Sequence, residues 1–150
     1  MQKNVNLTLV DLNFYKLYND LLDNDLLQDD LMVVKMHETA LMQDLISTVM
    51  QAVEKYNVTR VNRVVLSVGK ISNVLPEALL FAFEALTKEG IMKGAELEIE
   101  YLPIVARCRA CGCEYQAEGF PIVCPGCQSK NFTIISGDEV YIKNIECEEE

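Results

Sequence analysis

The sequence predicts an α+β protein in two parts, a helix-and-strand domain and a small metal-held module. Three observations carry this. Apolar residues recur with helical spacing over 37–56 and 76–89. Residues 95–101 alternate apolar and polar, and 61–68 reads as a second strand. From 107 to 131 that periodicity stops and two C-x2-C pairs appear. A chain of 150 residues and 16.9 kDa is long enough for both parts.

The elements follow in chain order. Residues 1–35 hold nine Leu and six Asp but no Glu, Gly or Pro. Leu17, Leu21, Leu22, Leu26, Leu27 and Leu31 suggest a short amphipathic helix over Tyr15 to Leu31, without a strong cap. A new pattern starts at Met36. Leu41, Leu45, Val49 and Val53 form one face of a helix from about His37 to Tyr56, flanked by Met42, Ile46 and Met50. Glu38 and Asp44 lie near its favourable N-terminal end.

Val61 to Val68 reads as a strand, with Val64, Leu66 and Val68 on one face, ended by Gly69. Pro76 opens a second helix to about Glu89, burying Leu79, Ala82, Phe83 and Leu86. Ala95 to Tyr101 is a strand whose Glu96, Glu98 and Glu100 form a solvated face. Further strands are expected at Phe132 to Ile135 and Glu139 to Ile145, around a Ser136-Gly137-Asp138 turn. The tail from Glu148 to Glu150 reads as frayed.

The cysteines carry the strongest chemical signal. Cys108, Cys111, Cys124 and Cys127 form two C-x2-C pairs twelve residues apart. Four thiolates so spaced close a tetrahedron around Zn2+ at about 2.3 Å. A site filled by four protein ligands leaves no position for substrate, so this zinc is structural. Gly112 and Gly126 supply the tight turns. Cys113 reads as a spare thiol and Cys147 as a free surface thiol in the acidic tail.

Charge and composition exclude much. Thirteen basic against 23 acidic residues give −10, the wrong sign for phosphate neutralisation. A nucleic-acid or protein-interaction zinc ribbon is the alternative function. It needs basic and aromatic groups on the ribbon, where only Arg107, Arg109 and Lys130 contribute. A thiol oxidoreductase using Cys111 or Cys113 would need a lowered thiol pKa with little positive charge nearby. With His37 as the one histidine, a catalytic triad has no marked partner, and the expectation is no enzyme. The longest apolar run, the six residues from Ala78 to Phe83, is too short to span a membrane. No secretory h-region is visible, so a cytoplasmic location is expected.

Taken together, the segments from Met36 onward resemble the HypA/HybF family. The motifs are Met36-His37-Glu38 before an amphipathic helix, a strand ending in Gly69, Phe81-Ala82-Phe83-Glu84, the two cysteine pairs, and Gly137-Asp138-Glu139-Val140. The resemblance implies two helices on a small mixed three-stranded sheet, the nickel domain, over 36–103 and 136–147. It implies a four-cysteine zinc ribbon inserted over 104–135. It also implies a nickel metallochaperone for [NiFe]-hydrogenase maturation that binds Ni2+ through Met36, His37 and Glu38. Its implied partners are the GTPase HypB, the hydrogenase large subunit and, in some organisms, urease maturation proteins. It would be a monomer or weak homodimer.

The chemistry of Met-His-Glu agrees. An α-amine, the His37 amide and its imidazole form fused chelate rings that suit tetragonal Ni2+ or Cu2+, and the Glu38 amide could complete the plane. Residues 1–35 lie outside the resemblance. Either translation starts at Met36 and they are a start-site artefact, or the extension is real and Met36 has no free amine.

Overall fold

The computed structural model describes residues 3–8, 31–120 and 122–150. The elements are β1 (Lys3–Thr8), α1 (Leu31–Val53), β2 (Val58–Gly69), α2 (Pro76–Leu86) and β3 (Glu96–Leu102). They continue with β4 (Ile104–Cys108), β5 (Glu114–Ala117), β6 (Phe132–Ser136) and β7 (Val140–Glu149). The described residues thus hold two helices, one sheet ordered β1-β7-β2-β3 and a second ordered β5-β4-β6.

The first sheet is mixed: β2 pairs parallel with β3 and antiparallel with β7. Connecting the parallel pair takes a crossover, and α2 lies within it. Both helices cover one face. Leu41, Met42, Leu45, Val49 and Val53 of α1 and Leu79, Ala82 and Phe83 of α2 are buried. They pack with Val61, Val64, Leu66 and Val68 of β2 and Val140, Ile142, Ile145 and Cys147 of β7. On the other face Arg63 bridges Glu96 (3.4 Å), Glu98 (3.3 Å) and Glu146 (3.9 Å). Lys143 Nζ donates to Glu100 at 2.6 Å. The acidic alternation of β3 is therefore a partly neutralised, solvated face.

Several expectations are corrected. The first helix starts at Leu31 rather than His37, so Met36 lies inside it. The rest of the expected Tyr15 helix lies outside the described residues. The second helix stops at Leu86, because Thr87 caps it. The Thr87 N–H and hydroxyl both donate to the Phe83 carbonyl, at 3.0 and 2.8 Å. Leu86 is exposed rather than buried. The acidic tail is not frayed: β7 runs to Glu149, paired with β2 and β1 on its two sides. Cys147 is consequently a core residue at 1% exposure, not a surface thiol. Burial pushes its pKa up, with Glu149 adding to the effect. β1, from the N-terminal extension, adds a fourth strand to the expected three.

The two sheets meet where β2 ends and β7 begins. The Gly69 N–H donates to the Glu139 carbonyl (2.7 Å), Lys70 to Leu102 (3.1 Å) and Ile71 to Gly137 (2.9 Å). The Ile71 side chain packs on the second core, formed by Ile104, Ala106, Cys108, Tyr115, Ile122 and Cys124.

Candidate metal centres

The second sheet presents the cysteines. Cys108 ends β4, Cys111 and Cys113 lie in the β4–β5 turn, and Cys124 and Cys127 lie in the loop before β6. Two knuckles of the same design face each other. In the first, the Cys108 N–H donates to Cys113 O and the Gly112 N–H to Cys108 O, both at 2.9 Å. In the second, the Cys124 N–H donates to Ser129 O (3.0 Å) and the Gln128 N–H to Cys124 O (2.9 Å). Every partner is displaced by sixteen positions from its counterpart.

That repeat corrects one expectation. The left-handed position of the first knuckle is Gly112 (φ +76°), and its counterpart in the second is Gln128 (φ +59°), not Gly126. Aligning the two C-x2-C pairs in the sequence would have found it. A non-glycine residue there carries a modest conformational cost.

The Sγ atoms of Cys108, Cys111, Cys124 and Cys127 all lie within 4.8 Å of one another. Cys108 and Cys127 approach to 3.5 Å, and Cys111 and Cys124 to 3.6 Å. A tetrahedron with bonds of about 2.3 Å has S···S edges of about 3.8 Å, so the set fits a zinc-sized ion. Cys113 is exposed and stands outside the cluster, its Sγ 3.7 Å from the Glu114 carbonyl.

The knuckles also pattern the acidity of the thiols. The Cys111 N–H holds Cys108 down to about 6, against the opposing effect of burial. The Cys127 N–H lowers Cys124 in the same way. The second thiol of each pair goes the other way. The Cys113 N–H favours the Cys111 thiolate, but Cys124 and Cys127 beside it push Cys111 up to about 12. Ser129 N–H favours the Cys127 thiolate, while Cys108 and burial raise its pKa overall. Four thiols this close resist full ionisation until a cation compensates them, and a dication does so.

The two arginines near the ribbon are engaged, while Lys130 is exposed. Arg107 pairs with Glu114 across β4 and β5. Arg109 Nε donates to Thr133 Oγ1 at 2.7 Å. Among the described residues they do not form a free basic patch for nucleic acid.

The Met36-His37-Glu38 segment lies in α1, at its sixth to eighth positions. Beyond a helix's first turn each N–H donates to the carbonyl four residues back. In this chain the Met36 nitrogen is therefore a helical peptide nitrogen. The side chains of Met36 and His37 lie outside the described residues. Glu38 is described, and its role was not foreseen. Only 3% exposed, its Oε1 accepts the Leu75 N–H at 3.2 Å, at the N-terminus of α2. That end of a helix favours a negative charge. Its Oε2 is buried without a hydrogen-bond partner among the described residues. The carboxylate thus ties the start of the family-like segment to α2.

Residues 36–147 match the family model described as "Hydrogenase/urease nickel incorporation, metallochaperone, hypA". The chain is 36% identical over 114 residues to the hydrogenase maturation factor HypA of Desulfitobacterium hafniense, covering 76% of this chain and 100% of that one. It is 38% identical over 114 residues to that of a Nostoc species, covering 76% and 97%. Among solved structures, the solution structure of the nickel metallochaperone HypA from Helicobacter pylori aligns with a TM-score of 0.58 at 26% identity. That alignment covers 75% of this chain and 98% of that one. The described residues contain no helix long and apolar enough to cross a membrane.

Proposed function

Since the chain belongs to the HypA family of nickel-incorporation metallochaperones, we propose that it takes Ni2+ at Met36-His37-Glu38 and delivers it during [NiFe]-hydrogenase maturation. The observation that carries this is the coincidence of the match with the motif: the family match begins at Met36. The protein is a metallochaperone and not an enzyme. Residues 36–103 and 136–147 carry the nickel site, and 104–135 form the ribbon.

Nickel is cargo, held by nitrogen. The His37 imidazole and the amide nitrogens of His37 and Glu38 supply a planar set, which a free amine completes in a chain that starts at Met36. Unwinding α1 from Leu31 through Glu38 releases those amides. Glu38 contributes its amide to the metal and its carboxylate to Leu75. Deprotonated amides make the grip weaken as pH falls. At such a site Cu2+ outcompetes Ni2+ by intrinsic affinity, so nickel specificity rests on availability and on delivery by a partner. The partners are HypB and the hydrogenase large subunit, in the cytoplasm, with urease maturation proteins added in some organisms. The four cysteines hold Zn2+, which fixes the ribbon and stays bound while nickel passes.

Two variants test the ligand set by nickel titration. His37→Ala should lose nickel affinity by at least about tenfold, with zinc content and circular dichroism unchanged. Equal affinity would remove His37 from the site. Glu38→Gln keeps the amide nitrogen and a hydrogen-bond acceptor for Leu75, so nickel affinity should hold within about threefold, less than a lost ligand costs. A large loss in a folded Glu38→Gln protein would place the carboxylate on the metal instead.

A further inference from the structure

The N-terminal extension supplies a strand to the sheet, at an edge that the family match leaves open. The match covers 36–147, and within those residues β7 is the last strand of the first sheet. Here its outer side pairs with residues 3–8 over six positions, from Lys3 opposite Glu149 to Thr8 opposite Asn144. We infer that residues 3–8 are a built-in capping strand for the outer edge of β7, an edge suited to a non-acidic extended segment with apolar residues two apart. This inference concerns the full-length chain and uses none of the nickel ligands.

Three features support it. The first is register. In an antiparallel pair, opposite residues share a face of the sheet. Val5 stands opposite Cys147 and Leu7 opposite Ile145, two residues of the buried core. Asn4, Asn6 and Thr8 stand opposite Glu148, Glu146 and Asn144, outside that core. A slip of one residue would exchange the two sets, so the alternation of Lys3–Thr8 specifies this pairing.

The second feature is charge. The paired stretch of β7 carries Glu146, Glu148 and Glu149, whereas β1 carries one lysine and no acid. On the β2 side, Arg63 and Asn62 meet Glu146 and Glu148. On the β1 side, Lys3 is in register with Glu149. Pairing this edge with the same edge of a second copy would bring three glutamates from each chain along one seam. Like charges across a sheet repel, so the edge disfavours its own copy and accepts a segment such as β1.

The third is the cost of leaving the edge bare. An uncovered strand exposes its unpaired N–H and C=O groups to any extended chain, and proteins cover such edges. Binding in cis through the chain that links Thr8 to Leu31 gives β1 a high effective concentration, which keeps other segments out.

Hydrogen exchange on the full-length protein tests this. The 144–149 amides that do not bond β2 should be protected at low protein concentration. Donors alternate sides along a strand, so either Val5→Pro or Asn6→Pro removes one that faces β7. That variant should speed exchange at those amides at least tenfold and leave the β2–β3 amides unchanged. A peptide of residues 1–9 added to the variant should restore protection. The same peptide with Val5→Asp and Leu7→Asp should not. Unprotected amides in the unmodified protein overturn the proposal, and that measurement decides even if neither variant folds. Protection that rises with concentration alongside a dimer in sedimentation would assign the strand to a second copy and overturn capping in cis.

Discussion

Gly69→Ala is expected to destabilise the protein by about 4 kcal/mol or more, among the largest effects a single methyl group can have. Gly69 closes β2 where the two sheets meet. A Cβ there would sit 2.1 Å from the Gly137 carbonyl oxygen, 2.3 Å from its carbon and 2.7 Å from the Asp138 nitrogen. All three are backbone atoms, so no rotamer change relieves the clash. The backbone itself is held by the bonds of Gly69 to Glu139 and of Ile71 to Gly137. Gly137 has φ +116°, and its own Cβ would lie 2.9 Å from the Ile104 Cα. Space at this crossing exists only because both residues lack a side chain. Thermal unfolding should show a drop in midpoint of about 10 °C or no cooperative transition at all. A variant within about 1 kcal/mol of the parent would mean the junction relaxes freely.

Cys124→Ala is expected to abolish zinc binding and unfold the second sheet while the first stays folded. The second core has six buried residues, and Cys108 and Cys124 are two of them. So few side chains bury too little surface to offset the entropy of ordering the loop around Cys124 and Cys127. Structural zinc supplies about 10–16 kcal/mol in comparable sites, which makes metal binding and folding one event. The first core holds seventeen buried residues of its own and does not depend on the ion. Zinc analysis should fall to zero, and exchange should speed across β4, β5 and β6 but not across β2 and α1. A full complement of zinc in that variant would remove Cys124 from the ligand set. Uniform unfolding would show that the Ile71 contact and the Gly69 crossing fuse the two parts into one cooperative unit.

Much of this was legible in the chain because it is local. Leu41, Leu45, Val49 and Val53 repeat at the helical period, and each is buried. The alternation of 95–101 marks the strand at Glu96–Leu102, and Pro76 marks a helix start. The cysteine spacing anticipates the cluster, since a C-x2-C turn brings its own sulfurs together whatever surrounds it.

What the sequence misjudged depends on partners distant in the chain. Cys147 looked exposed because glutamates follow it. It is buried because β7 runs on between β1 and β2, and alternation turns it toward the helices. Glu38 read as an acid at a helix's N-terminal end. It is buried because α1 starts earlier and α2 brings the Leu75 N–H to meet it. Gln128 is the local exception: its residue type gives no turn signal, and only the repeat of the two C-x2-C pairs marks its left-handed position.

By itself, then, the sequence determined the α+β class, the order of the elements from Met36 onward except β4 and β5, the four-cysteine set and the family-like motif at Met36-His37-Glu38. Each of these rests on neighbours a few positions apart, where backbone geometry alone relates residue type to structure. Only the tertiary structure decided that Gly69 and Gly137 cross without room for a methyl group, that Glu38 points inward to α2, and that residues 3–8 close the sheet. Each of those joins residues tens of positions or more apart, and a pairwise contact at that range is set by how the packed elements exclude water and share space.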